Sequence, residues 1–508
     1  MPTELKSKEA VSISPAAKNP PRHRLSFSNY KNSSLAQSLA LILLYSIPAF
    51  WSIRTFKILD PDIWWHLATA RWILQHHAFP VNDPFSAYGM DKPWYAYSWM
   101  FDLTVEFLYR WFGFVGIVLY EIAVRLVVPV ALFHLVRSLL SDFWRALLIT
   151  AVGVYVVSHV LTPQAAMITI LFCIIELDVL LAFRRSGRAK LLWFLPVLFA
   201  IWANWHIQFA YGLLILGIFA AEPILNTILQ RQNILQSLHS AKPLWLTAIA
   251  CVLATFLNPY GPRLYSTIFV YMNQPKSFAL IDELRAMSFR QPQHYAAMLL
   301  ALAATMAIGW RREKSLLWPM LLCLACVLGF RSVKEIWFIG IVSACAIADG
   351  WTVGRVETER RAAWRERILV PIAVLAVLAV ASRYYDVANS WLEMQVAGNF
   401  PEVACQYIEK HHLQGPLYND LNWGGFIIWR LPGYRVSIDG RTNVQGDERI
   451  GKSISVWTGK PEWASDPELA QANILLAKKT TPLASLLRLD PRFKIVFEDQ
   501  QAVVFQPR

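Results

Sequence analysis

The chain has 508 residues, of which 56% are hydrophobic, 13% aromatic and only 16% charged. A soluble domain carries about 25% charged residues, so the composition excludes an ordinary soluble globular protein, a disordered chain, a fibre or a small disulfide scaffold. The formal net charge is +13, and membrane topology is its first explanation, because Lys and Arg gather on the cytoplasmic side of membrane proteins.

In chain order, residues 1–34 form a polar, basic tail with Lys6, Lys8, Lys18, Arg22, Arg24 and Lys31. The apolar run 35–53 ends without an A-x-A cleavage pattern and reads as a retained first span. Further runs long enough for about 30 Å of hydrocarbon lie at 113–136, 143–161, 163–183, 191–209, 209–229, 243–258, 293–310, 315–330, 334–351 and 366–383. Eleven spans are expected in all. With a cytoplasmic N-terminus, the inner loops carry Arg184, Arg185, Arg188 and Lys190, then Arg231 and Lys242, then Arg311, Arg312 and Lys314, then Arg355, Arg360, Arg361, Arg365 and Arg367. The outer turns near 160 and 206 carry no Lys or Arg, and the one near 332 carries Arg331 and Lys334. This positive-inside pattern accounts for the excess charge without a nucleic-acid partner.

The expected fold is therefore a polytopic α-helical membrane protein with a C-terminal extracytoplasmic α/β domain. A cytoplasmic tail (1–34) precedes a transmembrane domain (35–383), whose outer loops are 55–110 and 258–292. In the outer domain (384–508), 401–412 reads as an amphipathic helix. Strands are expected at 416–418, 434–438, 473–476, 493–497 and 502–505, with a helix at 483–489. Cysteines offer no disulfide framework. Only Cys405 lies in a polar region, and Cys323 and Cys326 read as small residues one turn apart in an apolar run.

The first outer loop opens with Asp60-Pro61-Asp62 and continues as a helical stretch holding Trp64, Trp65, His66, Arg71 and Trp72. The stretch from Ile63 to Gln75 is expected to lie along the membrane surface, as amphipathic aromatics do. Asp60 then either caps this helix, with Pro61 as its first residue, or belongs with Asp62 to a site as general base or metal ligand. His66, one turn after Asp62, suits either role, and Arg71 and Asp83 are further candidates. His159 and His206 sit at outer span ends, His206 with Asn204 and Gln208 beside it. Arg331 and Lys334, next to Glu335, are outer cations suited to a lipid phosphate. Asp282 and Glu283 in the second outer loop are placed to line a cavity. In the C-terminal domain, Trp423-Gly424-Gly425 and Asp439-Gly440-Arg441 stand out, the latter as an acceptor-recognition element or an internal Asp–Arg pair. Within the spans, Glu121 and Arg125 lie one turn apart and should pair.

An outer first loop opening with Asp directly after the first span, then an aromatic helix, resembles the GT-C glycosyltransferases. The runs DPDIWWHLATARWIL and FPVNDPFS, and residues 417–448, resemble a bacterial branch of GT-C-like proteins. Many relatives have an Asp-Glu or Trp-Asp pair where this chain has Asp-Pro-Asp. The resemblance implies an enzyme of the bacterial inner membrane that moves a sugar from a polyprenyl-phosphate carrier to a glycan, lipid or protein acceptor on the outer face. It implies that Asp62, or Asp60, is the catalytic base or helps hold a divalent cation such as Mg or Mn. Direct displacement with one base would invert the anomeric centre. A transporter or flippase for lipid-linked glycans, or a membrane scaffold with an outer binding domain, are the competing classes.

Overall fold

The computed structural model describes residues 34–58, 60–231, 233–311, 315–351 and 364–508. The basic tail 1–33, Arg312, Lys314, Arg355, Arg360 and Arg361, and the side chains of Arg365 and Arg367, lie outside the described residues. Helix α1 (Ser34–Thr55) leads into the first loop, which holds α2 (Ile63–His76) and α3 (Trp99–Phe112). Then follow α4 (Phe114–Leu139), α5 (Phe143–Val157), α6 (Ala166–Ser186), α7 (Phe194–Trp205), α8 (Phe209–Leu229) and α9 (Ile234–Thr255). The second loop carries α10 (Leu264–Met272) and α11 (Pro275–Leu280), and α12 (Pro292–Gly309), α13 (Leu317–Arg331), α14 (Ile336–Gly350) and α15 (Trp364–Tyr384) complete the bundle.

Among the described residues, six helices are long and apolar enough to cross a bilayer: α1, α4, α5 with the turn that extends it to Val160, α6, α8 and α9. A seventh arises if 368–384 and 389–399, bent by 65°, count as one span. The expected eleven is thus corrected. The runs 191–209 and 315–330 are shorter apolar helices, and 334–351 is the 15-residue α14. At 1.5 Å per residue, α14 reaches only about 22 Å, short of the roughly 30 Å of hydrocarbon. Every residue of α14 from Ile336 to Ala348 is buried, between α5, α12 and α13. A helix enclosed by protein on all sides has the same composition as a span. The spanning helices turn residues such as Leu39, Leu43, Leu148, Leu214 and Ile249 outward, while Glu121 and Arg125 face inward and pair at 2.8 Å. Apolar outside and polar inside is the arrangement of a polytopic helical protein embedded in a membrane.

Beyond the bundle come α16 (Asn389–Ala397), α17 (Glu402–Lys410), β1 (Leu417–Asn419), α18 (Leu421–Arg430), α19 (Thr442–Gln445), α20 (Asp447–Trp457), α21 (Pro467–Gln471), β2 (Ile474–Lys478), α22 (Pro482–Leu489), β3 (Phe493–Glu498) and β4 (Ala502–Pro507). The sheet order is β1-β2-β4-β3, with β1 and β2 parallel and the other pairs antiparallel. Period-2 alternation splits its side chains. Leu475, Ala477, Val503 and Phe505 pack with Trp457 and Leu483, whereas Ile474, Leu476, Ala502 and Val504 join the core that continues into the bundle. The strand expected at 434–438 is instead a single parallel bridge between Val436 and Ser86 of the first loop.

Helix α2 departs from its expected surface position. Ile63 to Ala70 are all buried, with α3 on one side and α18 on the other. Trp64 meets Phe114, Phe400, Phe426 and Trp429 at ring-centroid distances of 4.9–5.9 Å. Gly425 permits this approach, because a Cβ there would lie 2.6 Å from the Pro61 carbonyl.

Candidate functional site

The helix α2 begins at Ile63, with Asp62 at the capping position but making no side-chain cap. Asp60 does not cap the helix either. Its Oδ1 accepts the Asp62 N–H at 2.9 Å, and its Oδ2 accepts from Gln164 Nε2 at 2.6 Å. The Asp62 carboxylate therefore accepts no backbone N–H at the start of its own helix. Both acids border a cavity of about 1180 Å³, which Gln164, His206, Tyr271, Glu283, Arg331 and Lys334 also line.

The cavity draws on distant parts of the chain. Glu283, before α12, accepts from Lys334 Nζ at 3.0 Å. Lys334 lies in the turn between α13 and α14, and its backbone N–H also donates to the Glu283 carbonyl at 3.0 Å. The neighbouring Glu335 accepts from Gln208 at 2.8 Å and from Tyr211 and Trp337 at 3.0 Å. Arg331 sits over the Phe278 ring at 4.5 Å.

Burial raises the Asp60 carboxyl above its ordinary value, and Glu283 adds to the effect. Asp62 is raised well above it, by burial first and then by the charges of Asp60 and Glu283. Burial alone would raise Glu283 too, but Lys334 outweighs it and holds Glu283 below the usual range. Burial would lower Lys334, and Glu283, Asp62 and Asp60 outweigh that and raise it. The cavity thus holds a persistent ammonium beside a carboxylate with heightened proton affinity. His206 is driven down to about 3, by burial first and then by Lys334, so its imidazole is neutral near pH 7.

The candidates drawn from the sequence divide in two. Asp60, Asp62, His206, Asp282, Glu283, Arg331 and Lys334 all line the cavity; Asp282 is largely exposed and pairs with Arg285 at 2.6 Å. The others are engaged elsewhere. His66 is buried with its Nδ1 2.6 Å from Asp102 Oδ1, because its turn of α2 faces α3. Burial pushes Asp102 well up and His66 down to about 3. Arg71 reaches Glu106 at 3.1 Å and lies over Trp429. His159 packs edge-on against His294 with centroids 5.4 Å apart.

Asp83, Asp439 and Arg441 form one buried cluster. Arg441 Nη1 meets Asp83 Oδ1 at 2.6 Å, and its Nε and Nη2 meet the Asp439 oxygens at 2.8 and 2.7 Å. The cluster fastens the first loop to the C-terminal domain. Between Asp439 and Arg441, Gly440 backs onto the acid pair: a Cβ there would collide with Asp62 Oδ1. Gly440 is not among the positive-φ residues, so space and not backbone conformation demands glycine. Gly440→Ala is expected to leave the protein folded but displace the Asp62 carboxylate. Because a misplacement of about 1 Å can cost about 100-fold, any chemistry that depends on the Asp62 carboxylate should fall by at least tenfold, with thermal stability the control.

Sequence reasoning missed Gln164, Tyr271 and the C-terminal lining, Asp420, Asn422, Ser453, Trp457 and Lys478. Only Gln164 had a local signal, as a polar residue at the tight join near 162. The donor set does not suit a divalent cation. Both Asp60 oxygens are occupied, Lys334 already supplies positive charge, and among the described residues no three His, Cys, Asp or Glu side chains form a metal-binding group. Comparisons with protein-family models and with curated proteins return no match for this chain.

Proposed function

We propose that the protein is a membrane glycosyltransferase of GT-C type, transferring a sugar from a polyprenyl-phosphate carrier to an acceptor on the extracytoplasmic face, with Asp62 as general base. The observation that carries this reading is the meeting of Asp60, Asp62, Glu283, Arg331 and Lys334 in one cavity between apolar helices and a polar C-terminal domain. A drug-sized ligand fills about 300–1,000 Å³, and this cavity, at about 1180 Å³, is roomy enough for a glycosyl phosphate beside an acceptor.

In the proposed step, an acceptor hydroxyl attacks the sugar C1. As the new C–O bond forms, the hydroxyl becomes acidic enough to give up its proton, which passes to the Asp62 carboxylate. The bond from C1 to the phosphate oxygen breaks, and polyprenyl phosphate leaves with its bonding pair. Lys334 and Arg331 neutralise the developing charge, acting most strongly where water is excluded. Asp60 and Glu283 raise the affinity of Asp62 for the proton. A single displacement inverts the anomeric centre.

Proteoliposomes supplied with polyprenyl-phosphate hexoses or pentoses test the proposal. The expected result is release of free polyprenyl phosphate and a product of inverted anomeric configuration. Carriers that cross the bilayer intact, with no phosphate lipid released, would identify a transporter instead.

A further inference from the structure

The cavity wall contributed by the C-terminal domain differs in chemistry from the acid-bearing wall. It presents Asp420, Asn422, Ser453, Trp457 and Lys478. Strands β1 and β2 run parallel, with Asn419 opposite Leu476, so Asp420 and Lys478 sit together at their carboxyl ends. In open α/β sheets this is the edge where ligands bind. Asp420 Oδ1 accepts the Asn422 N–H at 2.9 Å, which fixes the carboxylate at the start of α18. Trp457 stacks on Tyr418 of β1, with centroids 5.7 Å apart and an interplanar angle of 20°.

Two groups in this wall lack partners. Ser453 and Trp457 are only 8% and 5% exposed, and Ser453 Oγ and Trp457 Nε1 have no hydrogen-bond partner among the described residues. Buried polar atoms are nearly always satisfied, so unmet ones in a cavity wall point to a polar ligand. A carboxylate that accepts, an ammonium that donates and an amide that does both match the vicinal hydroxyls of a sugar. The Trp457 indole, its face stacked on Tyr418, contributes its unmet Nε1–H as a donor. A lipid acceptor would call for an apolar groove. Gly440, which abuts Asp62, lines the same cavity, so this wall adjoins the acid.

We propose that the Asp420, Asn422, Ser453, Trp457 and Lys478 wall is a carbohydrate subsite that holds a sugar acceptor and directs one of its hydroxyls to Asp62. Its role in the reaction rests on the transferase reading; its binding of sugar does not.

Saturation-transfer NMR on the full chain in nanodiscs tests this, with the methyl glycosides of glucose, galactose, mannose and N-acetylglucosamine as probes and no donor present. At least one probe should bind. Asn422→Ala and Lys478→Ala, both at exposed side chains, should each weaken it by about fivefold or more, the equivalent of one lost hydrogen bond. Trp457→Phe should weaken it while keeping the ring. Asp62→Asn should still bind. No binding of any probe to the parent chain, or binding unaltered in the Asn422→Ala Lys478→Ala double variant, overturns the subsite. Glycoside binding with no transfer from any polyprenyl-phosphate sugar upholds the subsite and removes the transferase reading alone.

Discussion

Asp62→Asn should lower sugar transfer by about 10²–10⁴-fold, the usual contribution of a positioned general base. The substitution keeps the shape of the side chain and removes its capacity to take a proton. Thermal stability and membrane insertion should therefore persist, since Asp62 makes no cap with its side chain. The pH profile gives a second, independent measure. Burial and the charges of Asp60 and Glu283 raise Asp62, and the base works only when ionised. The acid limb of kcat/KM should thus lie above the ordinary aspartate value of about 3.9. Asp60→Asn removes one of the charges that raise it, so the limb should move to lower pH. Lys334→Met removes a charge that lowers it, so the limb should move to higher pH. Transfer that persists after both Asp60 and Asp62 are replaced would assign the base elsewhere.

Arg441→Ala should be the most destabilising single change in the C-terminal domain. Arg441 is 1% exposed, and its removal strands two buried carboxylates, Asp83 and Asp439, without their cation. Breaking a buried pair from one side costs about 3–5 kcal/mol, read as a lowered melting temperature in detergent. Arg441→Lys should rescue little, because a point ammonium cannot reproduce contacts from Nε, Nη1 and Nη2. The triple change Asp83→Asn, Asp439→Asn, Arg441→Met should recover part of the loss, since the stranded charges go with it. Acid should loosen the same junction. Burial alone would raise Asp83, but Arg441, the Ser86 hydroxyl and the Phe85 N–H outweigh it and hold the carboxyl below its ordinary value. Its stabilisation is complete above the unfolded value near 3.9 and is lost as pH falls toward the folded one. Hydrogen-exchange protection across 83–92, taken relative to the intrinsic rate at each pH, should fall below about pH 4, and not between about pH 5 and pH 7.

Much of this organisation was legible in the sequence, for local reasons. Apolar runs mark helices, and Arg331 and Lys334 stand out as cations in an outer turn, against the charge asymmetry of the other loops. Both line the cavity with the first-loop acids. Span number was not legible, because α14 and a true span bury the same kinds of residue, one against protein and the other against lipid. The fate of His66 was not legible either. Spacing placed it one turn from Asp62, but α3 supplies Asp102 on the opposite side. The Asp439-Gly440-Arg441 run reads either as an acceptor-recognition element or as an internal Asp–Arg pair. Only the tertiary structure shows that Asp83 joins it, and that the intervening glycine makes room for Asp62. Pairings of that range leave no periodicity to read.

The separation of Asp83 and Arg441, 358 positions apart, has a consequence for the newborn chain. A ribosome adding about 5–20 residues per second needs about 20–70 s between delivering the first-loop acids to the bilayer and releasing the segment that seats against them. Throughout that interval the acids are already in place while their backing is still being made. A half-synthesised copy therefore carries the first-loop acids without the cavity that Gly440 and the C-terminal wall complete.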